Sequence, residues 1–167
     1  MSLSCLDFLI YPIIYILSMP ILVLFHELGH AISALILTDD IVSIYIGTSS
    51  LNTRFRFGRL TIYFNGYSSL IDISYGCVNW NPMYSNLKSI LMNAAGPLVS
   101  LLIAFRFFII LDNYHLSYFL MKIYNGIFIF SFSQFLFTIF PIKYTYRPYV
   151  GFSSDGYKIL QHLKILH

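Results

Sequence analysis

The residues best suited to chemistry are two histidines and a glutamate in the run His26-Glu27-Leu28-Gly29-His30. On an α-helix, residues four apart lie about 40° apart around the axis and about 6 Å along it, so both imidazoles can bind one ion from the same face. The glutamate lies beside that face, where it can take a proton from a water molecule that the ion activates. The pattern H-E-x-x-H on a helix therefore predicts a metal-dependent hydrolytic site.

The alternative is a chance match, or polar side chains that only pack helices together. Glu27 is the only glutamate in the sequence, and it stands in a strongly apolar segment. An ionisable side chain is costly in such a segment unless it has a function. The context therefore favours the metal site.

A catalytic zinc site usually takes three protein ligands and a water molecule, so a third ligand must come from elsewhere. Asp155 follows the last apolar segment and stands at the start of a predicted short helix, where aspartate is also an ordinary N-cap. Spacing alone leaves both roles open. Asp39 and Asp40 lie too far beyond His30 and are typical of a solvated helix end. Asp112 and His115 fall on the opposite membrane face in the predicted topology and are excluded. The other candidates are Asp7, Asp72, His162, His167, Cys5 and Cys77.

The composition is that of a membrane protein. Hydrophobic residues make up 57% of the 167 residues and charged residues only 10%, against about 45–50% and about 25% in average globular chains. Three apolar stretches, at about residues 6–37, 87–111 and 116–142, are long enough to cross a bilayer as helices. We therefore predict a single, mainly α-helical domain, residues 1–167, with a core of three transmembrane helices. Its ten lysines and arginines are scattered, which gives no support for nucleic-acid binding.

Between the first two spans the pattern changes to strands. Residues at about 41–66 are rich in β-branched and aromatic side chains and are punctuated by glycine and asparagine. This favours a small antiparallel sheet or hairpin at the membrane surface. A short helix is expected at about 156–166, after the last span.

Charge distribution predicts the orientation. Arginines and lysines lie in the strand-rich loop and after the third span, whereas the N-terminal tail and the connection at residues 112–115 have none. By the positive-inside rule the N-terminus is outside and the C-terminus cytoplasmic. The many isoleucines, phenylalanines, tyrosines and asparagines are compatible with an AT-rich bacterial genome, so we expect a bacterial plasma membrane.

Three motifs together resemble the site-2 protease family of intramembrane zinc metalloproteases. They are Phe25-His26-Glu27-Leu28-Gly29-His30-Ala31 in the first span, Asn93-Ala94-Ala95-Gly96-Pro97 in the second, and Asp155-Gly156 after the third. The resemblance covers nearly the whole chain in order and spacing.

The resemblance implies that His26, His30 and Asp155 bind Zn²⁺ and that Glu27 is the general base. It also implies that Asn93 holds the substrate or the oxyanion, and that the substrate is a membrane protein or peptide in the lipid bilayer.

There are departures from the family's pattern. Thr138-Ile139-Phe140-Pro141 stands where many members have Asn-Leu-Leu-Pro, Ser154 precedes the aspartate, and the gap from Pro141 to Asp155 is longer than usual. With no PDZ domain in this sequence, the expectation is a minimal form. The competing hypotheses are an inactive metal-binding membrane protein, acting as a sensor or partner, and a small transporter subunit. Substrate identity and oligomeric state are not encoded in any motif.

Overall fold

The structure, a computed structural model, describes residues 5–47, 53–64, 75–81, 85–145 and 149–165. The described elements, in chain order, are helix α1 (Cys5–Leu37), strands β1 (Val42–Ile46), β2 (Thr53–Phe57), β3 (Leu60–Phe64) and β4 (Gly76–Asn79), and helices α2 (Asn86–Asn113), α3 (Tyr118–Ile139) and α4 (Asp155–His162).

Three of the described helices are long and apolar enough to cross a membrane: Pro12–Leu37 within α1, α2 and α3. Large apolar side chains lie exposed on their outer faces, among them Leu17, Leu102 and Phe137. Contiguous apolar surface of this kind is rare on soluble proteins and is typical of lipid-facing helices. The predicted mainly helical fold with three candidate spans is confirmed.

The helix ends differ from the predicted ones for local reasons. α3 ends at Ile139 rather than near residue 142, because Pro141 lacks an N–H and forces Phe140 into extended backbone. α4 ends at His162 rather than near residue 166, and Lys164 then adopts a positive φ of 59°. Pro12 and Pro20 both lie inside α1.

The strands form one four-stranded sheet in the order β2-β3-β1-β4. β2 and β3 make the expected antiparallel hairpin, but β1 pairs with β3 in parallel, with Ile44 opposite Ile62. The expectation of a purely antiparallel sheet was therefore wrong. β4 was not predicted, because it has only four residues and begins with glycine and ends with asparagine, both poor strand formers.

Two cations bind the end of α1, Arg59 from the β2–β3 turn and Lys88 from α2. Arg59 donates to the carbonyl oxygens of Thr38 at 2.6 Å and Leu35 at 2.9 Å, and Lys88 donates to that of Leu37 at 2.8 Å. The last carbonyls of a helix have no partner within the helix and carry partial negative charge. The Arg59 contacts hold the β2–β3 hairpin against the end of α1, and the Lys88 contact holds the start of α2 there.

The connection from α3 to α4 folds back on itself. Lys143 and Ser153 form an isolated antiparallel bridge. The Ser154 hydroxyl donates to the Phe140 carbonyl at 2.5 Å and accepts from the Ile142 amide at 3.1 Å. The start of α4 is therefore held against the end of α3, where a Cβ on Gly156 would overlap the Ile139 carbonyl group.

We expect Gly156→Ala to destabilise the protein by about 1–3 kcal/mol, because the added methyl meets rigid backbone at the α3–α4 contact. The measurement is the free energy of unfolding in detergent micelles by denaturant titration.

Gly126→Ala is the matched control. Its methyl would meet only the Ile14 side chain, with 3.0 Å to Cγ2, and alanine is better than glycine in a helix by about 1 kcal/mol. We expect it to change the unfolding free energy by less than about 1 kcal/mol. Equal losses in the two variants would contradict the packing argument.

Candidate metal centre

Three donor atoms from the two ends of the chain converge at one point. His26 Nε2 and His30 Nε2 lie 3.3 Å apart, and Asp155 Oδ2 lies 3.4 Å from the first and 3.3 Å from the second. All three residues are buried, and their donor atoms lie close enough together to hold a metal ion.

The second nitrogen of each imidazole is bound to helix α2. His30 Nδ1 lies 2.7 Å from the Met92 carbonyl oxygen and His26 Nδ1 lies 2.8 Å from Ser100 Oγ. A carbonyl can only accept, so His30 Nδ1 carries the hydrogen and Nε2 of the neutral ring carries the lone pair. Such partners orient the histidines of metal sites.

A glycine on α2 makes room for this contact. A Cβ on Gly96 would overlap the His30 imidazole, with Nε2 as its nearest atom. The Gly96-Pro97 step therefore lies directly beside the site. Pro97 has no N–H, so the helical hydrogen bond to the carbonyl of Asn93 is not made.

Asp155 reaches the site because it is not the N-cap of its helix. Ser154 has that position, and its hydroxyl accepts from the Tyr157 amide. Ser154 is therefore the helix cap, and the Asp155 carboxylate is left to join the cluster of donors. Burial alone would raise the pKa of the Asp155 carboxyl, but a protonated His30 or His26 ring and the Lys158 ammonium would hold that pKa well below its usual value.

The donor geometry fits a zinc ion. Donors about 2.0–2.1 Å from a tetrahedrally coordinated zinc lie about 3.3–3.4 Å from one another. The three measured separations, 3.3, 3.3 and 3.4 Å, agree with this spacing. Two imidazole nitrogens and one carboxylate oxygen are also the donor set of known catalytic zinc sites.

Glu27 lies beside the donors and is 8% exposed. A Cβ on Gly76 would come within 2.5 Å of Glu27 Oε1 and 2.7 Å of Val23 Cγ1, so the carboxylate packs directly against the first residue of β4. This close approach requires glycine and places the sheet in contact with the candidate base.

A cavity of about 380 Å³ opens onto these residues. Its walls come from α1, β4, α3 and the segment before α4, and they include Glu27, Val78, Gln134 and Tyr149 beside the three donors. A volume of this size accommodates a short stretch of peptide. The donors and the base thus border a space that a substrate could enter.

Asn93 does not line this cavity. Its side-chain amide is buried and donates to the Ser89 carbonyl oxygen at 2.7 Å, one turn earlier in α2. That contact is the helix hydrogen bond expected of a buried asparagine, and the proposed contact with substrate or oxyanion stays a prediction.

The other candidate ligands lie elsewhere or outside the described side chains. Asp39 pairs with Arg59 at 3.8 Å, and Asp40 accepts from the Asn81 amide at 3.1 Å. Cys77 lines the cavity but is not part of the cluster of donors. Nothing is described for Asp72, His167 or the side chains of Cys5 and Asp7.

Two site residues were missed by sequence reasoning. Ser100 contacts the His26 ring, and Gln134 contacts Ser100 at 3.2 Å. Both are polar residues inside apolar spans, a signal that marks functional positions in membrane helices.

Residues 14–164 match Peptidase family M50, the family of the site-2 proteases. Neither the curated proteins nor the solved structures contain a match. The match covers almost all of the chain. Within it the two histidines and the distant aspartate converge, and Glu27 lines the same cavity. This chain belongs to Peptidase family M50, a family of membrane-embedded metallopeptidases.

Proposed function

We propose that this protein is a zinc-dependent endopeptidase that cleaves a membrane-spanning or membrane-associated peptide, with Glu27 as the general base. The observation that carries the proposal is the spacing of the three donors, 3.3–3.4 Å, beside a buried glutamate. A site that only stored or sensed metal would need no carboxylate at that position.

The roles of the residues follow from their positions. When bound, a zinc ion supplies Lewis-acid chemistry that acidifies water and polarises a carbonyl group. Glu27, which packs against Gly76, accepts the proton from water and passes it to the leaving amine. His26, His30 and Asp155 hold the ion in place, and Lys158, whose Nζ lies 3.5 Å from Asp155 Oδ1, stabilises the charged form of that carboxylate.

The outer edge of β4 at Val78 is the best candidate for binding the substrate backbone, since no other described strand pairs with that side of β4. Gly47 N–H donates to the Tyr75 carbonyl and Tyr45 lies opposite Cys77. In an antiparallel ladder, hydrogen-bonded pairs alternate with pairs that are not hydrogen-bonded, and Ile44–Val78 is a pair of the second kind. The amide and carbonyl of Val78 therefore point away from β1 and towards the edge. Ile44 and Ile62 lie opposite each other in the central strands β1 and β3, which are paired on both sides and offer no edge to a substrate.

An extended peptide could add to this edge next to the metal centre. Val78 lines the cavity that contains Glu27 and the donors. Pairing would hold the peptide in an extended conformation, in which its carbonyl groups are not hidden in helical hydrogen bonds. A transmembrane substrate would therefore have to unwind locally. The predicted orientation, N-terminus outside and C-terminus cytoplasmic, would open this edge towards the cytoplasmic side, and it stays a prediction from charge alone.

We expect Glu27→Gln to lose peptide cleavage by at least about a hundredfold, the usual contribution of a general base, while still binding about one zinc ion per chain. Cleavage of a reporter peptide is measured with protein reconstituted in lipid vesicles, and zinc by elemental analysis. Asp155→Asn is the matched comparison, because it removes a proposed ligand and should lose zinc and cleavage together.

Equal cleavage by Glu27→Gln and wild type would remove the enzymatic role. Zinc bound by a wild-type protein that cleaves no membrane peptide would instead favour the alternative of a metal-binding sensor or partner.

We expect Val78→Pro to lower kcat/KM for a peptide substrate about tenfold, because it removes one edge N–H, a loss of about 1–1.5 kcal/mol. Proline is tolerated on an edge strand where the N–H points outward, so the sheet should remain folded. Circular dichroism and zinc content check that the variant retains its structure.

Val78→Ala is the control, since it shortens the side chain but keeps the amide. The edge-pairing hypothesis would be abandoned if the alanine and proline variants cleaved the peptide at the same rate.

A further inference from the structure

A hydrogen-bonded path joins the His26 imidazole to the cavity wall. His26 Nδ1 lies 2.8 Å from Ser100 Oγ, and Ser100 Oγ donates to Gln134 Oε1 at 3.2 Å. The three residues belong to α1, α2 and α3, so the path crosses the three long helices at one level. Ser100 is fully buried, whereas Gln134 is part of the cavity lining.

We propose that Gln134 is a positioning residue that acts through Ser100 to set the tautomer of His26. This inference rests on the proposed function only because that function gives His26 Nε2 a metal to bind. The hydrogen in question is the one on the opposite ring nitrogen, Nδ1.

The Ser100 hydroxyl has a single proton, and the acceptor of that proton determines the direction of its other hydrogen bond. Ser100 donates that proton to the amide oxygen of Gln134, so its oxygen can only accept from His26. His26 must then carry its hydrogen on Nδ1, which leaves the Nε2 lone pair directed at the other donors. If Ser100 instead donated to Nδ1, Nε2 of the neutral ring would be protonated and could not bind an ion. The acceptor on Gln134 therefore decides which nitrogen is free.

His30 reaches the same state by a simpler route, because a backbone carbonyl that cannot donate faces its Nδ1. A hydroxyl alone does not impose a direction, since serine can donate or accept. His26 thus needs a second group behind the serine, and Gln134 supplies it.

A buried serine elsewhere in the bundle provides a built-in comparison. Ser131, on α3, is 1% exposed and its hydroxyl has no hydrogen-bond partner among the described residues. Ser100 and Ser131 are therefore alike in burial and differ in their partners. Ser100→Ala removes a hydroxyl oxygen that links His26 to Gln134. Ser131→Ala removes a hydroxyl oxygen that has no hydrogen-bond partner among the described residues.

The first measurement is ¹⁵N NMR of histidine-labelled, metal-free protein in detergent micelles. In the wild type we expect His26 to show the Nδ1–H tautomer. In Ser100→Ala and Gln134→Met we expect a mixture of both tautomers, and in Ser131→Ala the wild-type spectrum. Retention of a pure Nδ1–H tautomer in both path variants would overturn the proposal.

The second measurement is zinc affinity by competition with a chelator. Loss of a partner behind a ligating histidine costs about 10–100-fold in metal affinity, so we expect losses in this range for Ser100→Ala and Gln134→Met. Gln134→Glu keeps an oxygen acceptor and should remain within about threefold of the wild type, well inside that range. Ser131→Ala should be unchanged.

Equal losses in Ser100→Ala and Ser131→Ala would show a packing effect and overturn the proposal, as would failure of Gln134→Glu to retain affinity. Neither measurement uses peptide cleavage, so both read the path even if the protein proves catalytically inactive.

Discussion

The structure depends on the close approach of three buried electron-pair donors. Two imidazole nitrogens and a carboxylate oxygen lie 3.3–3.4 Å apart, and the side chains that carry them are buried from solvent. The proton of His30 is already engaged by a carbonyl on its far side, so lone pairs face one another across this space. Such an arrangement is costly without a cation between the groups. A bound divalent ion would turn this cost into an attraction that joins α1 to α4.

The surrounding packing follows from this requirement. Each imidazole needs a partner on its far side, and both partners are on α2, which must therefore approach α1 closely. Gly96 permits that approach at the His30 ring, and Gly156 permits the corresponding approach of α4 to the end of α3. Ser154 completes the arrangement by capping α4 itself, which releases the Asp155 carboxylate for the site. Residues without any chemical role thus determine whether the three donors meet.

Much of this could be predicted from the sequence. The rest could not, and the reasons can be identified. The H-E-x-x-H turn and the three apolar spans are local patterns, so His26, Glu27, His30 and the helical core could be predicted directly. Asp155 depends on how the segment after α3 folds back, and no local pattern separates a ligand from a cap. β4 is too short and too poor in strand formers to be recognised, and its position is fixed instead by pairing with β1 and by contact with Glu27.

The charges of the site explain why its parts come from so many elements. Glu27 and Asp155 place two carboxylates in a buried region, and Lys158 supplies one positive charge beside the second. With a divalent cation and two neutral imidazoles the total would be one positive charge, and transfer of a proton from water to Glu27 would leave that total unchanged. Neutral imidazoles are therefore necessary, because a protonated ring would both repel the ion and leave it one ligand short. That is why the partners of Nδ1, on the side of the rings facing away from the ion, matter as much to the site as the ligands.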